Sequence, residues 1–376
     1  MKSFLPNDIK DENRKIVFDI LLQYPELAKV EITEKTAMSF VTVSKIVTFF
    51  EQIGLLTVTG ESREGSGGLG RKRTVYRFNE NSYTTIGIQI IGSTITAVLI
   101  NLHGKIIDSY SIETDIPFYS QHFTSIFIEI VEYLKSKAKE TDSVVLGIGI
   151  GVDAAINTRK KSIRMRTHHN KENDFMYETI IETLKSEVNL PILLENDVNA
   201  ATVAEFRNLE NSDQALTSLI HVAAGDGVGG GLIINKELHR GVNASAGELE
   251  YMCFDSEYKR TPSSVGWLES KLAIKYLLST YDLNSTNDVE ACIDYVSKNL
   301  ALTITNMISI LDIDQVIISG KTVTLFPERI LDRTKSYVEQ YTEWTPQISV
   351  SKLLQSTAIG AATLILQQEM INVISE

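Results

Sequence analysis

The run Gly225-Asp226-Gly227-Val228-Gly229-Gly230-Gly231 is the stretch of this chain whose residue types point most directly to anion chemistry. An apolar segment, Ser218 to Ala224, leads in, and Leu232-Ile233-Ile234-Asn235 leaves, so the run reads as strand, turn, strand. Glycines at alternate positions accept positive φ and let bare N–H groups reach a ligand with no Cβ in the way, which is how nucleotide phosphates are cradled. The spacing is not G-x-x-x-x-G-K-[ST], and no helix start follows, so neither a P-loop nor a dinucleotide fingerprint is supported. A tight glycine hairpin without a ligand is the plain alternative, and the run alone does not choose. A second phosphate-seeking feature lies near the other end. Between Arg63 and Arg77 stand Arg63, Arg71, Lys72, Arg73 and Arg77 against Glu64 alone, a local basic patch of the kind that meets nucleic acid.

The elements around that patch predict a winged helix-turn-helix. Asn13 to Tyr24 carries Ile16, Val17, Ile20 and Leu21 at helical spacing. A short helix follows over Ile32 to Ala37. Met38-Ser39-Phe40 makes a turn, and a third helix runs from Val41 to Ile53 with Gly54 as its C-cap. Its apolar stripe is Val43, Ile46, Val47, Phe50 and Ile53, while Thr42, Lys45 and Thr48 face away. Leu55 to Thr59 and Thr74 to Phe78 alternate like paired strands, and the tip between them, Ser66 to Arg73, is glycine-rich and basic. A small dimerisation domain with a solvated loop would have no use for that basic tip. Ser39, Phe40, Thr42 and Lys45 are the candidates for the major groove, and Arg71, Lys72 and Arg73 for the backbone or minor groove. Charge supports the division. Residues 1–80 hold 12 Lys/Arg against 11 Asp/Glu, a net of +1, and the other 296 hold 24 against 37, a net of −13, which together give the chain's −12.

The remaining 81–376 reads as a larger α/β unit. At 43% hydrophobic and 22% charged, the chain has the composition of a soluble globular protein. No apolar run approaches the ~20 residues that span a bilayer, and Met1 to Asp8 lacks a signal-peptide core; a cytoplasmic protein without membrane contact is expected. Two cysteines, Cys253 and Cys292, make neither a disulfide framework nor a zinc site alone. Ile86 to Ile112 predicts a three-strand meander with glycine in its first turn, and the glycine run repeats that pattern. Helices are expected over Gln121 to Lys137, Met176 to Glu187, Val265 to Tyr281, Asn287 to Leu311 and from Ser356 to Met370, with strands at Val144 to Val152, Pro191 to Glu195 and Gln315 to Ser319. Two meanders, each followed by helices and strands, predict a duplicated actin-like or sugar-kinase fold. Its lobes are about 81–196 plus the C-terminal helix, and about 197–355, with a cleft between them.

In this order, a winged helix, a first glycine turn, Glu195-Asn196-Asp197-x-Asn199-Ala200-Ala201, G-x-G-x-G-G-G and Gly241-x-Asn243-x-x-Ala246-Gly247-Glu248 resemble the ROK family of bacterial repressors and sugar kinases. The likeness extends over almost the whole chain, and Ile32 to Ser44 is similar to the helix-turn-helix of the repressor branch. The resemblance implies that Asn196 and Asp197 contact sugar hydroxyls, with Asp197 at the position of the kinases' general base. It places Glu248 and Glu269 as further sugar ligands. N-capping of the following helix is the plain structural role for Asn196 and Asp197, and they could do both.

The departures from the family decide the expected activity. At the first phosphate turn, Gln89 stands at the family's Asp and Ile91 at its first Gly, with Gly92 and Thr94 retained. A branched side chain there blocks close approach, and the lost carboxylate would have helped to organise Mg²⁺. At the second turn, Gly225, Gly227 and Gly229 remain, but Asp226 replaces a small hydroxyl residue and would repel phosphate. Glu250-Tyr251 stands for Gly-His, and a segment around Thr261 to Trp267 replaces the zinc cysteines. The resemblance implies that the lost His also contacts sugar, so Tyr251 at its position is a candidate ligand residue that leaves the ligand's identity open, and His168-His169 is a loop pair near the cleft. The expectation is a DNA-binding repressor, not an enzyme, with no zinc and no ATP. Its partners would be double-stranded operator DNA and a sugar or sugar phosphate, and it would act as a homodimer or tetramer. An active sugar kinase, or a repressor answering to a protein partner, are the competing readings.

Overall fold

The computed structural model describes residues 6–63, 72–157, 160–165, 174–213, 215–261 and 265–375. The first unit is a helix, Pro6–Gln23, a short strand, Glu26–Ala28, then helices Lys29–Thr36 and Phe40–Gln52 and the wing strands Leu56–Arg63 and Lys72–Phe78. The short strand, missed in the sequence because it is only three residues long, pairs with the second wing strand and completes a three-stranded sheet. Between the two helices the chain turns through Ala37 in the left-handed region, φ 55°. The third helix starts at Phe40 rather than Val41 because Ser39 caps it, accepting from the Thr42 N–H at 3.1 Å.

Two five-stranded sheets follow with the same strand order. In the first, the meander Tyr83–Ile91, Thr94–Ile100 and Ile106–Glu113 is extended by parallel strands Val144–Val152 and Ile192–Asn196. In the second, the meander Leu219–Ala224, Val228–Ile234 and Glu237–Leu238 is extended by parallel strands Gln315–Ser319 and Gln347–Val350. This is the duplicated fold expected from the sequence. A small sheet of Ala154–Asn157, Ser162–Met165 and Asp174–Met176 is additional. The helix expected over Val265 to Tyr281 is in fact two short ones, Glu269–Leu272 and Ile274–Thr280, broken where Ala273 turns extended at ψ 133°. The helix Pro327–Tyr341 was not anticipated.

Two helices bind the lobes together. The helix Asp197–Glu210 and the C-terminal helix Ser356–Ser375 pack against one another and against the sheets. The approach is close: a Cβ at Gly360 would stand 1.7 Å from the Ala200 carbonyl oxygen. The far end of the C-terminal helix enters the winged-helix core, where Leu366, Met370 and Ile374 share a buried cluster with Val17, Leu21, Val47 and Phe50. Arg14, buried, stacks over Phe49 at 3.5 Å and donates to the Ile374 carbonyl at 2.7 Å.

Candidate functional site

Asn196 ends a strand of the first sheet and caps the Asp197–Glu210 helix, its side-chain oxygen accepting from the Asn199 N–H at 3.0 Å. Its amide nitrogen donates to the Ala154 carbonyl at 3.1 Å and to the Asp197 carboxylate at 3.0 Å. Asn196 thus caps the helix and orients Asp197 at the same time. The Asp197 carbonyl accepts from Thr357 on the C-terminal helix at 3.1 Å.

The residue that holds this corner is Glu195, 2% exposed. One carboxylate oxygen accepts from the Asn196 N–H at 2.9 Å and Asn199 Nδ2 at 3.1 Å. The other accepts from Arg240 Nε at 2.8 Å and its NH2 at 2.7 Å. Arg240 belongs to the loop that leads to Ala246-Gly247-Glu248, so the pair ties the two motifs together. Neither residue was singled out in the sequence, although Glu195 sat inside the quoted motif. The available signal was an acid and a base immediately flanking two site motifs.

The Ala246-Gly247-Glu248 loop is seated on the glycine run. Gly230 donates to the Gly247 carbonyl at 2.7 Å, and a Cβ at Gly247, φ +86°, would stand 2.0 Å from the Gly230 oxygen. The last glycines of the run therefore serve this packing as well as any ligand. Glu269, 7% exposed, accepts from the Val228 N–H at 3.3 Å, so it braces the glycine turn in addition to its expected place as a sugar ligand. Tyr251 is 50% exposed, and burial together with a hydrogen bond to Glu250 pushes its hydroxyl up to about 12. Arg260 lies over its ring.

At the first phosphate turn, Gly92 has φ +60°, Ile91 is exposed beside it, and Thr94 donates to Glu113 at 3.4 Å. Gln89 lies within the strand, paired with Thr96. At the second, Asp226 is bridged to Lys321 Nζ at 2.5 Å. Lys321 follows Gly320, and its backbone N would be 3.2 Å from a Cβ at Gly225. An ammonium–carboxylate pair thus stands on the glycine turn beside Gly225 and Gly227. Among the described residues no group of three or more His, Cys, Asp or Glu could hold a metal ion. Part of the segment replacing the zinc cysteines, and His168-His169, lie outside the described residues.

Behind the turn sits His221, fully buried. Thr202 donates to the Val198 carbonyl at 2.6 Å and shares a 2.9 Å bond with His221 Nδ1, while Nε2 is 2.7 Å from the Ser319 hydroxyl. The arrangement fits Nδ1–H donating and Nε2 accepting. Burial lowers the imidazole from 6.5 to about 4. A depressed pKa keeps the folded ring neutral while the unfolded ring protonates. Stability is therefore complete above pH 6.5 and falls towards pH 4, by about 2 kcal/mol at pH 5. Denaturant midpoints at pH 7 and pH 5 check this, and a His221→Leu variant with the wild-type pH dependence would refute it.

On the winged helix, Phe40 and Val41 are 52% and 64% exposed at the N-terminus of the third helix, and Lys45 lies one turn on. Ser39 and Thr42 share a hydroxyl contact at 2.9 Å besides the cap, so Ser39 faces solvent while holding the helix start. Arg73 lies on the second wing strand. Lys72 starts that strand, and Arg71 lies outside the described residues.

A winged helix-turn-helix joined to a two-lobed, sugar-kinase-like α/β unit defines a class of two-domain regulator. The chain carries a ROK family domain, matched over residues 85–266. It is 23% identical to the xylose repressor of Bacillus subtilis over 351 residues, 88% of this chain and 87% of that one. It is also 23% identical to a glucokinase of Halalkalibacterium halodurans over 288 residues, 68% of this chain and 85% of that one. Among solved structures, a ROK family transcriptional regulator, homologue of the E. coli MLC protein, superposes with TM-score 0.76 at 16% identity, covering 97% of this chain and 98% of that one. A ROK family glucokinase from Streptomyces griseus, solved with glucose and AMPPNP, gives TM-score 0.59 at 21% identity and covers 76% of this chain and 99% of that one. The regulator matches the winged helix as well; the kinase matches about three quarters of the chain.

Proposed function

We propose that this protein is a sugar-responsive transcriptional repressor. The observation that carries the reading is the winged helix built into one core with the helix that also packs behind Asn196 and Asp197. The xylose repressors among its relatives support it. A sugar held by Asn196, Asp197, Glu248 and Glu269 would draw the lobes together and re-pose the winged helices, shifting operator affinity by its differential affinity for the two poses. A cytoplasmic homodimer would place two such helices on half-sites about one helical turn apart.

The domain is read as non-catalytic. At the second turn the Gly225 and Val228 N–H groups already donate within the protein, to the Gly227 carbonyl and to Glu269, and at the first turn an exposed Ile91 stands where the ROK kinases have glycine. No helix among the described residues is long and apolar enough to cross a membrane.

Fluorescence anisotropy of the full chain on DNA upstream of its own and neighbouring genes, followed by a sugar panel, tests the proposal. Specific binding changed by one compound is the expected result; no specific binding, or ATP turnover with a hexose, overturns it. On the same DNA, Lys45→Ala is expected to weaken binding about tenfold and to flatten the salt dependence if it meets phosphate. Unchanged affinity would remove Lys45 from the interface.

A further inference from the structure

On the reading that the cleft holds a sugar, we propose that the effector is an anionic monosaccharide whose charged group is taken by Lys160 in a polar pocket beside Asn196. The stretch Arg159-Lys160-Lys161-Ser162-Ile163-Arg164-Met165-Arg166 holds five cations and no acid, inside a region whose net charge is −13 (24 Lys/Arg against 37 Asp/Glu). Of its described residues, Lys160 and Lys161 lead into Ser162–Met165, which pairs antiparallel with Ala154–Asn157.

The two lysines of the turn differ in their partners. Lys161 is paired with Glu178. Lys160 has no acidic partner among the described residues, and it lines a pocket of about 50 Å³ with Asn157, Ser162, Asn243 and Ser245. Among the described residues, no acidic one lines that pocket. A water needs ~10–15 Å³ by this measure, so the space suits a small polyatomic group and not a whole sugar ring.

The pocket adjoins the sugar site on both sides. Ala154, next to the lining residue Ala155, accepts from Asn196 at 3.1 Å. Asn157 donates at 3.5 Å to the carbonyl of Asn243, which precedes Glu248 in the same loop. A ring bound at Asn196, Asp197 and Glu248 would therefore carry an exocyclic substituent into amides, hydroxyls and one ammonium. Charge-assisted bonds to an anion are stronger than those to a neutral hydroxyl, and a neutral sugar would leave the ammonium to water.

Calorimetric titration of the full chain with neutral hexoses and pentoses, their phosphate esters and the matching uronic acids tests the assignment. One anionic sugar is expected to bind about tenfold or more tighter than its neutral parent. Lys160→Gln should reduce it to the parent's affinity, and inorganic phosphate should compete with it. Preference for the ester or for the uronic acid identifies the anion's source. Equal or tighter binding of the neutral parent, or a preference that survives Lys160→Gln, overturns the proposal. Asp197→Ala separates the two levels. If the sugar site is correctly placed, it weakens neutral and anionic sugars alike; if no sugar of either kind binds the wild type, the sugar reading itself fails and this inference with it.

Discussion

Arg240→Ala is expected to lower the unfolding free energy by about 3 kcal/mol, because it leaves a buried carboxylate without its counter-charge. Glu195 is 2% exposed, and Arg240 supplies two of its four short contacts, through Nε and NH2. The other two come from the Asn196 N–H and from Asn199 Nδ2. Without the guanidinium, the carboxylate must protonate or draw water into the strand end that carries Asn196. The effect should therefore appear twice: as a lower denaturant midpoint, and as weaker sugar binding although Arg240 itself lies outside the set of expected ligands. Glu195→Gln with Arg240→Ala should recover part of the stability, since a neutral amide tolerates the missing charge. A single Arg240→Ala protein that unfolds like the wild type would show that the pair is solvent-screened and positions nothing.

That pair also marks where sequence reading stops. The glycine run was legible because alternate glycines have few physical uses, whereas the Asn-Asp step and the Ala-Gly-Glu loop stood out through their resemblance to the ROK family. The meanders were legible because strand alternation and glycine turns are local signals. Arg240 and Lys321 carry no local signal: their roles come from partners 45 and 95 residues away. Asp226 read as a repulsive charge on the phosphate turn, and no spacing within the run could reveal that Lys321 pairs with it. The broken helix at Ala273 was hidden for a similar reason. Its apolar pattern continues through the break, and the turn is set by tertiary bonds such as Ile274 N–H to the Gly225 carbonyl at 2.8 Å. The short strand Glu26–Ala28 exists only because the second wing strand lies beside it.

Met370→Ala is expected to destabilise the winged helix by about 2–4 kcal/mol and to reduce operator binding while leaving sugar affinity unchanged. The reason is the route by which the two ends of the molecule meet. At one end of the C-terminal helix, Thr357 donates to the Asp197 carbonyl, and Gly360 lies against Ala200. At the other end, Leu366, Met370 and Ile374 fill the core beneath the third helix, with Arg14 anchored on the Ile374 carbonyl. The Asp197–Glu210 helix runs alongside it and reaches the same domain. Desolvation raises the pKa of Asp19 on the first helix, and that carboxyl also feels Lys15, Arg207 and Glu210. A shift at Asn196 and Asp197 can therefore reach the winged helix through packed helices without a flexible joint. Removing the Met370 side chain loosens the second contact and spares the first. Operator anisotropy and sugar calorimetry on the same preparation separate the two, with Leu354→Ala, at 84% exposed, as the control that should change neither. Equal loss of sugar and operator binding in Met370→Ala would mean that the helix supports the whole fold, and that the coupling between cleft and DNA runs elsewhere.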